Sequence, residues 1–151
     1  MIEWSVLALV ITMLALVFSY RMRLLQGQAE LSAVKTTVGA LRTAFVLDNL
    51  RTHAAEAPAA DAPTHYNPFE LLQQHPVNYI GEMTREQAEL APPGIWVFDP
   101  ECICVGYLPI WPEWFDSPSG DLMAWYRVGG GPGALQLTPK EHYLWQGQVL
   151  D

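Results

Sequence analysis

Met1-Ile2-Glu3-Trp4-Ser5-Val6-Leu7-Ala8-Leu9-Val10-Ile11-Thr12-Met13-Leu14-Ala15-Leu16-Val17-Phe18-Ser19-Tyr20 opens the chain, and Arg21-Met22-Arg23-Leu24-Leu25-Gln26 continues it. Glu3 is the one charged side chain of the opening, and the 17 residues from Trp4 to Tyr20 carry no charge. As a helix this run spans roughly 26 Å at about 1.5 Å per residue. That is the lower edge of what crosses a bilayer core. A secretory signal has a basic start, a shorter apolar stretch and a small-x-small cleavage site. Here no Lys or Arg precedes the run, and Ser19-Tyr20-Arg21 is a poor cleavage site. No proline occurs before Pro58, so nothing breaks the helix where the apolar run ends. The pattern predicts one helix from about residue 2 to about residue 53, retained as an anchor.

The helix changes character at Arg23. Residues 1–23 form the transmembrane half, and residues 24–53 form an amphipathic half. Leu24, Leu31, Val38 and Phe45 recur every seven residues, with Gly27, Val34 and Leu41 at the complementary positions. Gln28, Glu30, Lys35, Thr36, Arg42 and Asn49 supply much of the polar remainder. Such a stripe needs an apolar partner, either another helix or the chain's own sheet.

Residues 54–66 read as an Ala/Pro linker, with Pro58 and Pro63 stopping the helix. Residues 67–151 read as a small globular domain. Asn67 caps a short helix through Gln74, with Pro68 at its first position and Glu70 placed as in a capping box. Thr84 to Leu90 reads as a second short helix, capped by Thr84 with Gln87 three residues on. Ile95–Phe98 and Cys102–Leu108 read as an antiparallel hairpin turned by Asp99-Pro100-Glu101. Pro109 to Gly120 is a long loop. Met123–Val128 is a third strand, Gly129–Gly133 a turn, Leu135–Leu137 a short fourth strand, and His142–Trp145 a closing strand or tail. The expected class is α+β: a long N-terminal helix packed on a small antiparallel sheet.

Charge is unevenly divided. Residues 1–53 carry five basic and three acidic side chains, a net +2. Residues 54–151 carry three basic and 13 acidic ones, a net −10. An acidic domain repels phosphate backbones, which argues against nucleic-acid binding. The glycine-rich stretch Gly129–Gly133 lacks a following Lys-Ser or Lys-Thr and reads as a turn, not a phosphate cradle. Asp99, Glu101, Glu113, Asp116 and Asp121 lie on or beside loops without the ordered spacing of a calcium loop. Neither a nucleophile–base arrangement nor a metal or cofactor motif stands out. The expectation is a non-enzyme without cofactors.

Cys102 and Cys104 are the only cysteines. On a strand they would face one side, their Cα atoms roughly 6.6 Å apart, near the upper end of disulfide geometry. Two small core residues, a disulfide, and a metal or redox role all fit. Trp111, Trp114 and Phe115 sit between prolines in the long loop. They either form a partner surface or fold back over the sheet.

The chain resembles the type IV pilin and type II secretion pseudopilin superfamily. Met1-Ile2-Glu3-Trp4 before the apolar run is similar to the Leu-Ile-Glu core of a mature pilin helix, with Glu3 at the family's glutamate. Asn67–Leu72, Pro76–Glu82 and Pro93–Pro100 resemble the globular part of a pseudopilin-like subgroup. The resemblance implies a structural subunit that bundles through its N-terminal helix. Its partners would be other pilin or pseudopilin subunits and an inner-membrane assembly platform. It implies a bacterial inner-membrane anchor with a periplasmic domain. It assigns the Glu3 carboxylate to the N-terminal ammonium of a neighbouring subunit, and assembly roles to Leu24, Leu31, Val38 and Phe45. The family's basic leader ending in Gly is not in this sequence: either the start lies upstream of Met1, or prepilin peptidase does not process this subunit. Arg21, Arg23 and Lys35 follow the apolar run, and the positive-inside rule places residues 24–151 in the cytoplasm. That opposes the pilin orientation. The alternative is a single-pass binding or assembly factor that never polymerises.

Overall fold

The computed structural model describes residues 2–54, 67–130 and 135–150. Past Ala54 the expected linker lies outside the described residues, as do residues 131–134 of the glycine-rich turn. A single helix, α1 (Ile2–Ala54), is followed by β1 (Tyr79–Glu82), α2 (Arg85–Glu89), β2 (Ile95–Asp99) and β3 (Cys104–Leu108). Then come β4 (Phe115–Asp116), β5 (Ala124–Gly129), β6 (Gln136–Pro139), β7 (Tyr143–Trp145) and β8 (Gln148–Leu150). The class is α+β with a long N-terminal helix, as the sequence suggests.

The main sheet has the order β1-β2-β3-β5-β6, and a second sheet has the order β4-β7-β8. The ladders are antiparallel except β1, which runs parallel to β2. The main sheet is therefore mixed, and the expected all-antiparallel sheet is corrected at this edge. The reason is α2, which lies between the two strands as a crossover and returns the chain in the same direction.

Both faces of the main sheet are covered, so β2 and β3 are buried along their whole length. One face presents Trp96, Phe98, Val105, Tyr107, Ala124, Tyr126 and Val128 to Leu31, Val34, Val38, Leu41 and Phe45 of α1. The other presents Ile95, Val97, Cys104, Leu108 and Trp125 to Ala88 of α2 and Met123. Strand alternation produces this division. Aromatic rings run through the α1 side. Phe69 stacks on Tyr79 at 4.0 Å, Trp96 meets Tyr107 at 4.8 Å, and Phe115 lies 5.5 Å from Tyr143. Gly106 leaves room for Trp125, whose ring carbon would stand 2.6 Å from an added Cβ.

Several local expectations change. The first short helix is a single 3-10 turn, Pro68–Leu71, capped by the Asn67 side chain accepting from Phe69 N–H at 3.1 Å. Glu70 does not complete a capping box; it is exposed and stands 3.9 Å from His75 Nε2. Buried Phe69 holds that turn against Tyr79 and Trp96. The second helix is capped as expected, Gln87 Oε1 accepting from Thr84 N–H at 3.3 Å. β3 starts at Cys104, not Cys102, because Ile103 has a left-handed backbone with φ 54°. The loop from Pro109 to Gly120 contributes β4, which pairs with β7.

Candidate assembly surface on the N-terminal helix

The domain grips α1 from Leu24 onward. Gln146 Nε2 donates to the Leu24 carbonyl at 3.3 Å, and Trp145 Nε1 donates to the Gly27 carbonyl at 3.0 Å. Gly27 matters here, since a Cβ would stand 2.9 Å from Trp114 Cδ1 and overlap the Gln146 side chain. One turn on, the Glu30 carboxylate accepts from Tyr107 O–H at 2.8 Å and from Ile110 N–H at 2.6 Å. Further along, Arg42 Nε donates to the Leu137 carbonyl at 3.2 Å.

Glu30 is 7% exposed. Burial pushes its carboxyl above the usual range, and the donors at Ile110, Tyr107 and Trp111 offset only part of that rise. Burial and the neighbouring Glu30 likewise push the Tyr107 hydroxyl up. Glu30, counted from the sequence in the helix's polar remainder, is therefore turned into the domain instead. Position 30 flanks the inner stripe, one turn from Gly27 and one turn from Val34, but that spacing does not name the donors that let a carboxylate face inward.

Residues before Leu24 stand clear of the domain. Trp4, Leu9, Met13, Leu14, Leu16 and Phe18 are each more than 60% exposed, and the most apolar window of α1 has no buried residue. Its mean hydropathy is 1.9, enough to cross a membrane by length and composition. Hydroxyls inside this stretch bond back to the helix, Thr12 to the Ala8 carbonyl and Ser19 to the Ala15 carbonyl, both at 2.8 Å. Such bonds satisfy them where no water is present.

Glu3 is exposed at the start of this segment. Leu24 is half-buried where the grip begins. Leu31, Val38 and Phe45 are at most 5% exposed, inside the chain's own core. This corrects their reading as assembly residues: the stripe's partner is the domain's sheet, leaving those side chains no surface for a second helix. Leu25, Val46, Leu47 and Leu50 remain exposed on the amphipathic half, beside the small residues Ala29, Ala33 and Ala40.

In the long loop, Trp114 and Phe115 turn inward and are half-buried against the core. Phe115 lies 5.9 Å from Trp145, and Trp111 is half-buried. Trp145 and Gln146, which hold the helix, carried no readable signal, because nothing local marks a contact 118 residues away.

Cys102 and Cys104 are joined by a disulfide, with Cα atoms 5.2 Å apart. The turn, rather than a straight strand, brings them closer than strand spacing allows. Bridging so short a loop stabilises by roughly 1.6 kcal/mol in the chain-entropy model. The left-handed Ile103 between them costs about 1–2 kcal/mol. The two nearly cancel. Among the described residues, no group of three or more His, Cys, Asp or Glu side chains converges to hold a metal ion. Asp99 accepts from Glu101 N–H at 2.9 Å, and Asp121 pairs with Arg85, so the loop acids are engaged separately.

No family model, curated protein or solved structure matches this chain.

Proposed function

We propose that this protein is a non-catalytic, pilin-like structural subunit, anchored in a bacterial inner membrane and assembling through its N-terminal helix. The observation that carries this reading is the division of labour along α1. The sheet occupies the stripe from Gly27 to Phe45, while the apolar half from Trp4 to Tyr20 is wholly exposed. A rigid apolar rod continuous with a folded domain is suited to lie in lipid and then among like helices. Other copies and an inner-membrane platform are the partners of this reading, with the domain in the periplasm. Glu3 would select register in the bundle, since an unpaired carboxylate in an apolar environment is costly.

Cross-linking of introduced cysteines in the full chain in membranes tests it. Ala40→Cys combined with Leu47→Cys, which gives each copy two linkable thiols, should yield ladders beyond the dimer, while the core-facing Val38→Cys should yield no linked dimer. Glu3→Leu should leave membrane insertion intact and shorten the ladder. Normal assembly of Glu3→Leu would refute its role, and absence of any ladder would refute polymerisation.

A second reading, an anchored factor that does not polymerise, is favoured by exposed Arg21 and Arg23 just past the apolar run. They direct the domain toward the cytoplasm. Protease protection of the domain in inverted and right-side-out vesicles separates the orientations.

A further inference from the structure

We propose that Cys102 and Cys104 form a reversible thiol–disulfide exchange site whose redox partner is a dithiol. The bridge encloses a single residue, Ile103, whose φ is 54°. A β-branched side chain is a poor occupant of the left-handed region. Gln146, with φ 49°, precedes Gly147, with φ 75°, in the two-residue turn joining β7 to β8. That turn type requires positive φ at both positions. Ile103 instead ends the four-residue connection between β2 and β3, where Gly or Asn would serve at less cost. Three restraints hold it there. Its side chain packs on the α1-side core, its carbonyl accepts from Val128 N–H at 3.0 Å, and the cysteines flank it from the opposite cluster. A backbone outlier so over-determined, at a bridge that adds almost no stability, points to a use for the bridge other than holding the fold.

Access to the two sulfurs differs. Cys102 is half-buried, and Cys104 is fully buried beside Val97 and Trp125. A thiolate of the partner therefore attacks Cys102 Sγ. The S–S bond breaks, and Cys104 Sγ leaves with the electron pair and takes up a proton. In the mixed disulfide the partner's second thiolate attacks the partner's own bonded sulfur, displacing Cys102 Sγ, which is protonated in turn. The partner departs as a cyclic disulfide, having given two electrons and two protons to this chain. A monothiol is disfavoured, because Cys104, two residues away, re-closes the bridge before a second molecule arrives. Asp99 and Glu101 beside the site further disfavour anionic thiols. Reduction removes the bridge's share of the three restraints on Ile103, and its backbone then relaxes toward the extended region.

The test equilibrates the full chain, in detergent micelles, with reduced and oxidised dithiothreitol. Alkylation and mass spectrometry count the thiols, and near-ultraviolet circular dichroism follows packing. The bridge should open with the dichroism retained. Ile103→Gly, which removes the left-handed penalty, should require a roughly tenfold higher ratio of reduced to oxidised dithiothreitol. Reduction only with loss of the packing signal, or an unshifted ratio in Ile103→Gly, would overturn the proposal. Should that variant not fold, the single thiols decide. Cys104→Ala should react with an aromatic disulfide on the order of 100-fold faster than Cys102→Ala, whose buried thiol reacts only through local opening. Equal rates would overturn the assigned point of attack.

Discussion

Glu30 is where one side chain ties two elements together. Its carboxylate holds Tyr107 of β3 and the backbone at Ile110, so truncation strands both donors. Glu30→Ala should cost about 2–4 kcal/mol, measured by denaturant unfolding. Glu30→Gln keeps an acceptor and removes the buried charge, so it should be far milder. The pH dependence has a definite sign. Burial raises the folded carboxyl above its ordinary value of 4.5. The stability linked to its proton is fully present below the unfolded pKa and is lost as pH rises through the raised folded pKa. Unfolding titrations from acid to neutral pH should therefore show a downward slope from this group in the wild type and none in Glu30→Gln. At Gly106, alanine would press on the Trp125 ring. Gly106→Ala should destabilise by about 1–3 kcal/mol and alter the near-ultraviolet signal of Trp125.

At the scale of elements, α1 has one chemistry before Arg23 and another after it. The first half depends on being apolar throughout; the second depends on which side each residue faces. Val10→Arg with Leu14→Arg adds about 5–7 kcal/mol to the cost of insertion on translocon scales. The double variant should leave the membrane fraction in a carbonate-extraction assay, with the domain still folded. Strands could be read where both flanks and composition agreed, as for β2 and β5. The strands not anticipated were β1, β4 and β8. β4 has two residues and β8 three, too few for a period to show. β1 holds Gly81 at φ 106°, with a register shift beside it that breaks the alternation.

For the whole molecule, the apolar half of α1 adds nothing to the domain's core. A chain of residues 24–150 should therefore be soluble and unfold within about 1 kcal/mol of the full chain, since lost contacts scale with lost buried area. A large loss, seen by urea unfolding, would mean that the first half packs on the domain. The long helix, its change of character at Arg23 and the α+β class were determined by the sequence alone. Apolar periodicity and the lack of proline act locally, over a few turns of chain. The stripe's choice of partner was decided only by the tertiary structure, as were the inward turn of Glu30, Trp114 and Phe115 and the bridge around Ile103. Each depends on which distant segments meet: Glu30 finds Tyr107 across 77 residues. A carboxylate one turn from an apolar stripe points inward only when a folded sheet brings donors to satisfy it, and no local pattern specifies those donors.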